Sequence, residues 1–214
     1  MLKSSIQSAI FVAYNRANKD ININNYSNYV IGTTKNIDIK IGDIITEVDG
    51  IEVKNVKEIR EIINKHEVGD SVEIRVIRND ENFLVDAFVQ EENNIKIIGI
   101  VATTIYDYDL NPDIELKFKN KESGSSGGLM MALTIYDIIS GEDLIKGRRV
   151  AGTGTIDIDG NVGEIDGIKY KLMGAVRKKM DIVLVPEANY EEAMKEKKKN
   201  NYDIEIVSVK TFDD

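Results

Sequence analysis

The stretch Lys121-Glu-Ser-Gly-Ser-Ser-Gly-Gly-Leu-Met130 decides how the rest of the chain is interpreted. It places three serines among three glycines, and the apolar run Leu129–Ile135 that follows predicts a buried helix. Glycines allow close backbone approach, and the first N–H groups of a helix have no acceptor within it. Those N–H groups can stabilise an oxyanion, so a serine at this turn is a candidate nucleophile. A Ser/Gly loop that only caps a helix is the alternative.

The composition indicates a soluble globular protein of one or two domains. The 214 residues are 42% hydrophobic and 30% charged, and domains usually contain roughly 100–200 residues. The net charge of −9 argues against nucleic acid or an anionic membrane as a partner, because phosphate binding needs clustered lysines and arginines. The basic run Lys195–Lys199 is expected to be the solvated face of a helix.

Two residue types restrict the chemistry by their scarcity. The chain has no cysteine, which excludes disulfides, cysteine-based zinc sites and a thiol nucleophile. His66 is the only histidine, which excludes histidine-rich metal sites and catalysis by several histidines. We therefore expect neither a metal nor a cofactor.

The first residues predict a helix followed by a loop. Ser4–Asn18 places Ile6, Ala9 and Ile10 on one face at helical spacing, with Ser4 or Ser5 as N-cap. The asparagine-rich tract Asn18–Asn28 predicts a loop. We expect this helix to pack on a later domain.

Residues 29–90 predict a small domain of strands and one helix. Asp49-Gly50 is a strong hairpin signal, and Asn55 is a good N-cap. The predicted elements are the strand Tyr29–Thr33, the hairpin Ile41–Val53, the helix Val56–His66 and the strands Val72–Arg78 and Phe83–Gln90.

This order resembles a PDZ domain of the kind associated with bacterial proteases, over about residues 28–90. The matching residues are Lys40–Gly50, Val53, the helix and Val68–Arg78. PDZ domains bind extended peptides as an added strand beside their helix. The resemblance therefore implies a groove between Tyr29–Thr33 and Val56–His66. Tyr29-Val-Ile-Gly32 matches the carboxylate-binding loop of PDZ domains only loosely, and a domain that acts purely as a spacer is the alternative.

After the charged joint Glu91–Asn94, a plausible domain boundary, the pattern becomes α/β. Helices alternate with strands, which is typical of a mainly parallel sheet. The predicted strands are Lys96–Thr104, Ile114–Phe118, Val150–Ile158, Ile182–Val185 and Ile204–Val209. The predicted helices are the one that follows the Ser/Gly turn and ends at Ile139, and the helices Gly167–Lys179 and Glu191–Lys199.

A serine nucleophile needs a base, and histidine cannot supply it here. Gly124–Gly128 formally matches G-x-S-x-G, but α/β-hydrolases place their histidine after the serine, whereas His66 lies before it. His66 is expected to be an exposed residue at a helix end. No serine has a lysine three residues later, and no Walker-type phosphate loop occurs.

A lysine can act as the base where burial disfavours its charged form. Lys171 falls at helical spacing with Ile168, Leu172 and Ala175, so its stem follows an apolar stripe, whereas Lys169 points away. A lysine whose stem covers apolar surface while its charge stays in water is the alternative.

Four segments in order resemble the Lon-type Ser-Lys peptidase domain, over about residues 96–210. They are Gly124–Met130, Ala151–Asp157, Gly160–Gly163 and Gly167–Lys171. With the PDZ-like part in front, the whole chain looks like the YlbL-like bacterial PDZ–Lon proteases, which lack the ATPase module of Lon.

By position, the resemblance implies Ser126 as nucleophile and Lys171 as general base. It implies that the hydroxyl of Thr153 helps to hold the lysine, and that backbone N–H groups around Ser125–Gly127 bind the oxyanion. Ser125 and Gly127 stand where the family usually has proline and alanine, and Asp166 stands where it usually has glycine. Asp166 is expected to cap the lysine helix and, if close to Lys171, to weaken the base.

These observations predict a two-domain chain of α+β and α/β class: an N-terminal helix and loop (1–27), a PDZ-like β-barrel or sandwich (28–92) and a Lon-type proteolytic α/β domain (95–214). The predicted function is a serine endopeptidase that acts without ATP on peptides or unfolded protein recruited by the PDZ-like domain. A catalytically weak peptide-binding protein is the alternative.

The chain has no apolar stretch of membrane-spanning length and no signal-peptide pattern, so we expect it to be soluble as given. The resemblance implies a membrane anchor, absent from these residues, that holds the domains outside the cytoplasm. An oligomer is possible.

Overall fold

The computed structural model describes residues 2–34, 37–117 and 124–214, which form two compact units. The discontinuous unit combines Met1–Asn22 with Leu110–Asp214, and the inserted unit is Ile23–Asp109. The proteolytic part predicted from the sequence therefore shares a unit with the N-terminal helix. Glu91–Asn94, where the sequence suggested a boundary, lies inside the inserted unit and forms part of a hairpin.

The elements of the inserted unit, including the two strands that cross its limits, are β1 (Asp20–Thr33), β2 (Ile44–Val48), β3 (Ile51–Glu52), α2 (Val56–Ile63), β4 (Ser71–Arg78), β5 (Glu81–Phe88), β6 (Gln90–Glu92), β7 (Ile95–Ile97) and β8 (Ile100–Asn111). Those of the discontinuous unit are α1 (Leu2–Arg16), a 3₁₀ turn (Ser125–Gly127), α3 (Gly128–Ser140), β9 (Val150–Gly152), β10 (Thr155–Ile156), β11 (Val162–Gly163), α4 (Ile168–Arg177), β12 (Ile182–Pro186), α5 (Glu187–Asn200) and β13 (Glu205–Val209).

The inserted unit is built on a sheet of strand order β5-β4-β2-β1-β8, with β3 paired to β2. Both predicted hairpins form, and the turn residues Asp49 and Asn79 adopt the positive φ that such turns require. Asn55 caps α2 as predicted, because its side chain accepts the N–H of Glu58. The apolar stripe of α2, with Ile59 and Ile63, is buried in the same core as alternate residues of β4.

Two loop and strand predictions were wrong. The tract Asn18–Asn28 was predicted to be a loop, but β1 begins at Asp20. Its first residues are mostly exposed, so the tract lacks the apolar alternation that marks a strand; its pairing to β8 is main-chain. A strand was also predicted over Ile114–Phe118, yet residues 113–117 form none, and Phe118 lies outside the described residues.

In the discontinuous unit, α1 packs against α3 and β10. Its predicted apolar face was too narrow, since Phe11, Val12 and Tyr14 are buried as well as Ala9. The guanidinium of Arg16 donates two hydrogen bonds, of 2.6 and 2.7 Å, to the carboxylate of Asp213, which ties this helix to the chain end.

A parallel sheet of order β13-β12-β9 forms the second core of this unit. Ile168 and Leu172 of α4 are fully buried in one apolar cluster with Val183 and Val185 of β12. Helix α5 contacts α4, β12 and β13. The α/β alternation predicted for this half of the chain is therefore present.

Gly154 sits where a side chain has no room. A Cβ there would lie 2.7 Å from Cγ1 of Val162, a branched side chain that cannot swing away. We predict that Gly154→Ala lowers the free energy of unfolding by about 1–3 kcal/mol. Gly174→Ala in α4 is the matched control, because nothing lies within 4 Å of its added Cβ. That change should raise stability by about 0.5–1 kcal/mol in urea unfolding. Equal stability of the two variants would contradict the packing described for Gly154.

An ion pair inside the inserted unit should make its stability depend on acid. The carboxylate of Asp43, which is 1% exposed, accepts bonds of 2.8 and 2.7 Å from the guanidinium of Arg78. The bonds from Arg78 lower the pKa of Asp43, and the hydrogen bond from the N–H of Lys40 lowers it too. Burial acts in the opposite direction on this pKa but does not outweigh them. Because the folded pKa lies below the unfolded one, the stabilisation is fully present above about pH 4 and is lost as the pH falls through the folded value.

We therefore predict that Asp43→Asn costs about 1.5–3 kcal/mol of unfolding free energy at pH 7, because it removes the charge from both bonds. The difference from the wild type should shrink below about pH 4. Urea titrations of both proteins at a series of pH values measure it. Asp86→Asn, at an exposed carboxylate of β5, is the control and should change little. A cost independent of pH would refute the ion pair.

Candidate active site

Ser126 lies in the 3₁₀ turn that leads directly into α3. Gly124 before the turn is extended, with φ −102° and ψ 148°, and α3 begins at Gly128. The glycine is needed at Gly128 because a Cβ there would lie 3.1 Å from both the main-chain nitrogen and Cγ2 of Ile156 in β10. The start of α3 can therefore approach β10 closely. Ser126, just before the N-terminus of α3, is half-buried.

The main chain of Ser126 is fixed by the residues that follow β9. Its carbonyl oxygen accepts the N–H of Gly154 at 2.8 Å and the hydroxyl of Thr153 at 3.0 Å. In return, the N–H of Leu129 donates to the carbonyl of Gly154 at 3.1 Å. Thr153 is 2% exposed, and its own N–H donates to Leu184 of β12. The turn at Ser126 is thus joined by hydrogen bonds to the parallel sheet.

Lys171 reaches the same point from α4. This helix begins after Gly167, whose φ of +74° favours glycine, and it buries Ile168 and Leu172 on the sheet. Lys171 lies between these two anchors and is half-buried. Its Nζ is 2.8 Å from Oγ of Ser126, which is hydrogen-bonding distance. The serine and the lysine singled out in the sequence, 45 positions apart, therefore meet.

Asn189 fixes the chain in front of α4, and the sequence gave it no role. It is 2% exposed in the first turn of α5, where its amide accepts the N–H of Ile165 at 2.9 Å and donates to the carbonyl of Ile165 at 3.0 Å. Both bonds hold the main chain three residues before the helix that carries Lys171. The available signal was an asparagine four residues before the buried Ala193, on the buried face of an amphipathic helix.

The surroundings of Lys171 bear on two expectations. The hydroxyl of Thr153 donates to the carbonyl of Ser126, and its contact with Lys171 stays a prediction of the resemblance. Asp166 was expected to be the N-cap of α4, and this was wrong: the cap is Gly167, without a side-chain bond, and Asp166 is exposed. Within the described residues, Lys171 has no ion pair, so no carboxylate there stabilises its charged form by direct contact.

The other sequence candidates are accounted for as follows. Ser125 and Gly127 belong to the 3₁₀ turn on either side of Ser126, and Ser123 lies outside the described residues. His66 is half-buried, not fully exposed as expected, because its Nε2 lies 2.7 Å from the carboxylate of Asp49. It belongs to the inserted unit and to the packing of the hairpin turn there.

The peptide groove expected beside α2 is not open. Strand β1 pairs with β2 along one edge and with β8 along the other. Strand β8 also contacts the start of α2, where the N–H of Val56 donates to Oγ1 of Thr104 at 2.9 Å. The chain's own strand therefore lies where an added strand was expected. The sequence interpretation treated Lys96–Thr104 only as the first strand of the proteolytic half.

Chemically, the discontinuous unit offers an amine, a hydroxyl and a helix start at one point. A neutral amine at hydrogen-bonding distance can take the proton of a hydroxyl that attacks a carbonyl. The first N–H groups of α3 are engaged, because Gly128 donates to the carbonyl of Ser125 and Leu129 to that of Gly154, so the candidates to face a developing negative oxygen are the N–H groups of the turn Ser125–Gly127. These are the parts needed for acyl transfer.

Among the described residues, no helix has both the length and the apolar character to cross a membrane.

Comparison with known proteins supports this chemistry. Residues 119–214 match the family model of the Lon protease (S16) C-terminal proteolytic domain, and residues 31–89 match that of the PDZ domain. Each half of the chain, the PDZ-like sheet with its helix and the α/β unit, thus has the fold class predicted for it.

Several curated proteins are similar to parts of the chain. The Lon protease of Campylobacter jejuni is 35% identical over 121 residues, which are 56% of this chain and 15% of that protein. Lon protease 2 of Borreliella burgdorferi is 28% identical over 201 residues, 89% of this chain and 24% of that protein. The serine protease Do-like HtrA of Lactobacillus helveticus is 34% identical over 93 residues, 44% of this chain and 19% of that protein.

The chain thus spans less than a quarter of the length of these relatives. The match to the PDZ model covers 59 residues (31–89), and the match to the proteolytic domain model that follows it covers 96 (119–214). The chain is thus similar, in sequence order, to a PDZ domain and to the C-terminal proteolytic domain of the Lon proteases.

Proposed function

We propose that this protein is a serine endopeptidase in which Ser126 is the nucleophile and Lys171 the general base. The observation that carries the proposal is the 2.8 Å contact between Nζ of Lys171 and Oγ of Ser126. The match to the Lon proteolytic domain supports peptide bonds as the substrate. The half-buried position of both side chains leaves the hydroxyl reachable while removing part of the lysine from water.

The reaction follows from this geometry. Neutral Lys171 accepts the proton of Ser126 as Oγ bonds to the carbonyl carbon of the substrate. When the carbon–nitrogen bond breaks, Lys171 returns that proton to the leaving amine. Water then attacks the acyl-enzyme and gives a proton to Lys171, and the bond from Oγ to the acyl carbon breaks with the proton returning to Ser126.

The oxyanion of both tetrahedral intermediates would lie against main-chain N–H groups of Ser125–Gly127. The two hydrogen bonds to the carbonyl of Ser126 support this role, because they fix the orientation of the turn before substrate arrives. Every residue except proline has a main-chain N–H donor. The replacement of the family's usual proline and alanine by Ser125 and Gly127 therefore removes no donor and adds one at Ser125.

The proposed activity does not use ATP in this chain, since its sequence contains no Walker-type phosphate loop. Its substrates would be peptides or unfolded segments, which can reach a serine at a helix start in an extended form. Recruitment by the PDZ domain would require the groove beside α2 to be vacated by β8. That filled groove also argues against a protein that only binds peptides. Membrane tethering and oligomerisation stay predictions of the resemblance.

We predict that Ser126→Ala and Lys171→Ala each lower kcat/KM on an unfolded protein, without ATP, by about a thousandfold or more. Lys171→Arg should be equally inactive, because arginine keeps the charge and the donors but cannot lose its proton. The rate is measured as the release of labelled peptides from an unfolded protein that carries a fluorescent dye.

The matched controls are Lys169→Ala, at an exposed lysine of the same helix, and Ser140→Ala, at the far end of α3. Both should keep wild-type rates. Full activity of Ser126→Ala would end the nucleophile assignment. An active Lys171→Arg variant would show that the lysine contributes only its charge.

Thr153 is predicted to be a positioning residue. Thr153→Val removes the bond to the carbonyl of Ser126 while keeping the shape of the side chain. We expect kcat to fall roughly tenfold with KM little changed. The oxyanion that the main-chain donors bind forms only in the transition state, so misaligned donors affect that state and not substrate binding. Thr153→Ser should restore most of kcat, since it keeps the hydroxyl. If valine and serine lowered kcat equally, packing and not the hydrogen bond would be the cause.

A further inference from the structure

The groove between β1 and α2 is filled by a strand from outside the matched PDZ region. The PDZ match ends at residue 89, whereas β8 begins at Ile100. Hydrogen bonds join Thr34 to Gly99 and Asn24 to Asp109, so residue numbers rise along β8 as they fall along β1. Strand β8 is thus an antiparallel addition to the edge that β1 would otherwise present.

Strand β8 and strand β7 just before it together contact both ends of α2. Oγ1 of Thr104 accepts the N–H of Val56, at the start of the helix, and donates to the buried amide oxygen of Asn28 in β1 at 2.9 Å. Beyond the other end of the helix, Nζ of Lys96 donates to the carbonyls of Asn64, at 3.3 Å, and His66. Residues 96–104 therefore run the full length of the groove.

Alternate residues of β8 face this groove, as in a bound peptide. Ile100 and Ala102 pack against the core cluster that contains Ile59 and Ile63 of α2. Thr104 bonds to the helix start, and Tyr106 lines a surface pocket together with Lys54 and Asn55, the N-cap of α2. A strand directs every second side chain to one side, so the side chains at positions 100, 102, 104 and 106 face the groove.

Strand β8 is held more lightly than the strands of the PDZ sheet. None of its twelve residues is buried, whereas β1, β2, β4 and β5 each have at least two buried residues. It is the last strand in the order of the sheet, so only one of its edges pairs. An incoming strand would restore the same main-chain bonds, which leaves the exchange nearly balanced in free energy.

We propose that β8 is an internal ligand of the PDZ groove, which exchanges with an extended peptide of matching pattern. The pattern is an aliphatic residue, a small residue, a hydroxyl residue and an aromatic residue at alternating positions, as in Ile100, Ala102, Thr104 and Tyr106. The inference goes beyond the proposed peptidase activity and does not depend on it, because its test measures binding.

The tether sets the strength of external binding. A strand joined to its groove by the chain acts at an effective concentration on the order of millimolar. A free peptide with identical contacts must compete with it and binds correspondingly weakly.

The probe is a fluorescein-labelled synthetic peptide of the β8 sequence, residues 98–108, measured by fluorescence anisotropy up to millimolar protein. A disulfide can lock β8 in place, since the natural chain has no cysteine. A Cβ on Gly32 of β1 would lie 3.4 Å from Cβ of Val101 in β8, close to the spacing of about 3.5–4.5 Å in disulfides. The double variant Gly32→Cys with Val101→Cys therefore locks the strand when oxidised and frees it when reduced.

We expect the reduced double variant to bind the probe and the oxidised form to bind at least tenfold more weakly. Thermal unfolding of both forms checks that each is folded. Equal binding by the two forms would overturn the proposal, because the probe would then lie outside the groove. No binding by the reduced form or the wild type at millimolar protein would overturn it too, since β8 would then be a permanent strand of the domain.

Weakening the internal ligand should strengthen binding of the probe. Thr104→Val keeps the shape of the side chain but loses the bonds to Val56 and Asn28, which a bound probe regains through its own threonine. We expect roughly five- to thirtyfold tighter binding. Val101→Thr, the reverse exchange at an exposed position of the same strand, is the matched control and should leave binding unchanged. Unchanged affinity in Thr104→Val would contradict the exchange.

Discussion

The carbonyl oxygen of Ser126 accepts two hydrogen bonds, from Gly154 and Thr153, and the rest of the site depends on them. They join the serine turn to the end of β9, which pairs with β12. Helix α4 packs Ile168 and Leu172 on the same sheet and so brings Lys171 to the hydroxyl. Both reacting groups are thus positioned by one rigid parallel sheet, and a catalytic geometry needs that kind of support.

Much of this site could be predicted from the sequence because its signals are local. A Ser/Gly turn before an apolar helix and a lysine on an apolar stripe are visible in short windows; the absence of cysteine removed a competing nucleophile, and the position of the single histidine removed a competing base. These signals left alternatives open, and the choice of Ser126 and Lys171 came from the resemblance to the Lon-type peptidase domain. The hairpin turn Asp49-Gly50 and the cap Asn55 were predicted for the same reason. Each depends on backbone requirements within four residues.

The remaining features depend on partners that are distant in the sequence. The exposed first part of β1 has no apolar alternation, because its strand form depends on pairing with β8. That pairing also closes the expected groove. Thr153 and Asn189 bond to the main chain of Ser126 and Ile165, and the order of residues did not indicate these partners, although the spacing of Asn189 to Ala193 indicated a buried position. Asp166 fitted the N-cap preference, but Gly167 supplied the required conformation.

The need for an amine at position 171 is tested most directly by chemical rescue. The chain has no cysteine, so Lys171→Cys introduces a single thiol that can be alkylated selectively. Alkylation with bromoethylamine restores an amine at nearly the length of lysine, whereas iodoacetamide adds a neutral amide that is not basic. We predict an inactive Lys171→Cys protein whose peptidase activity returns only after aminoethylation. Equal activity of the two alkylated forms, or an active unmodified variant, would contradict the Ser126–Lys171 pair.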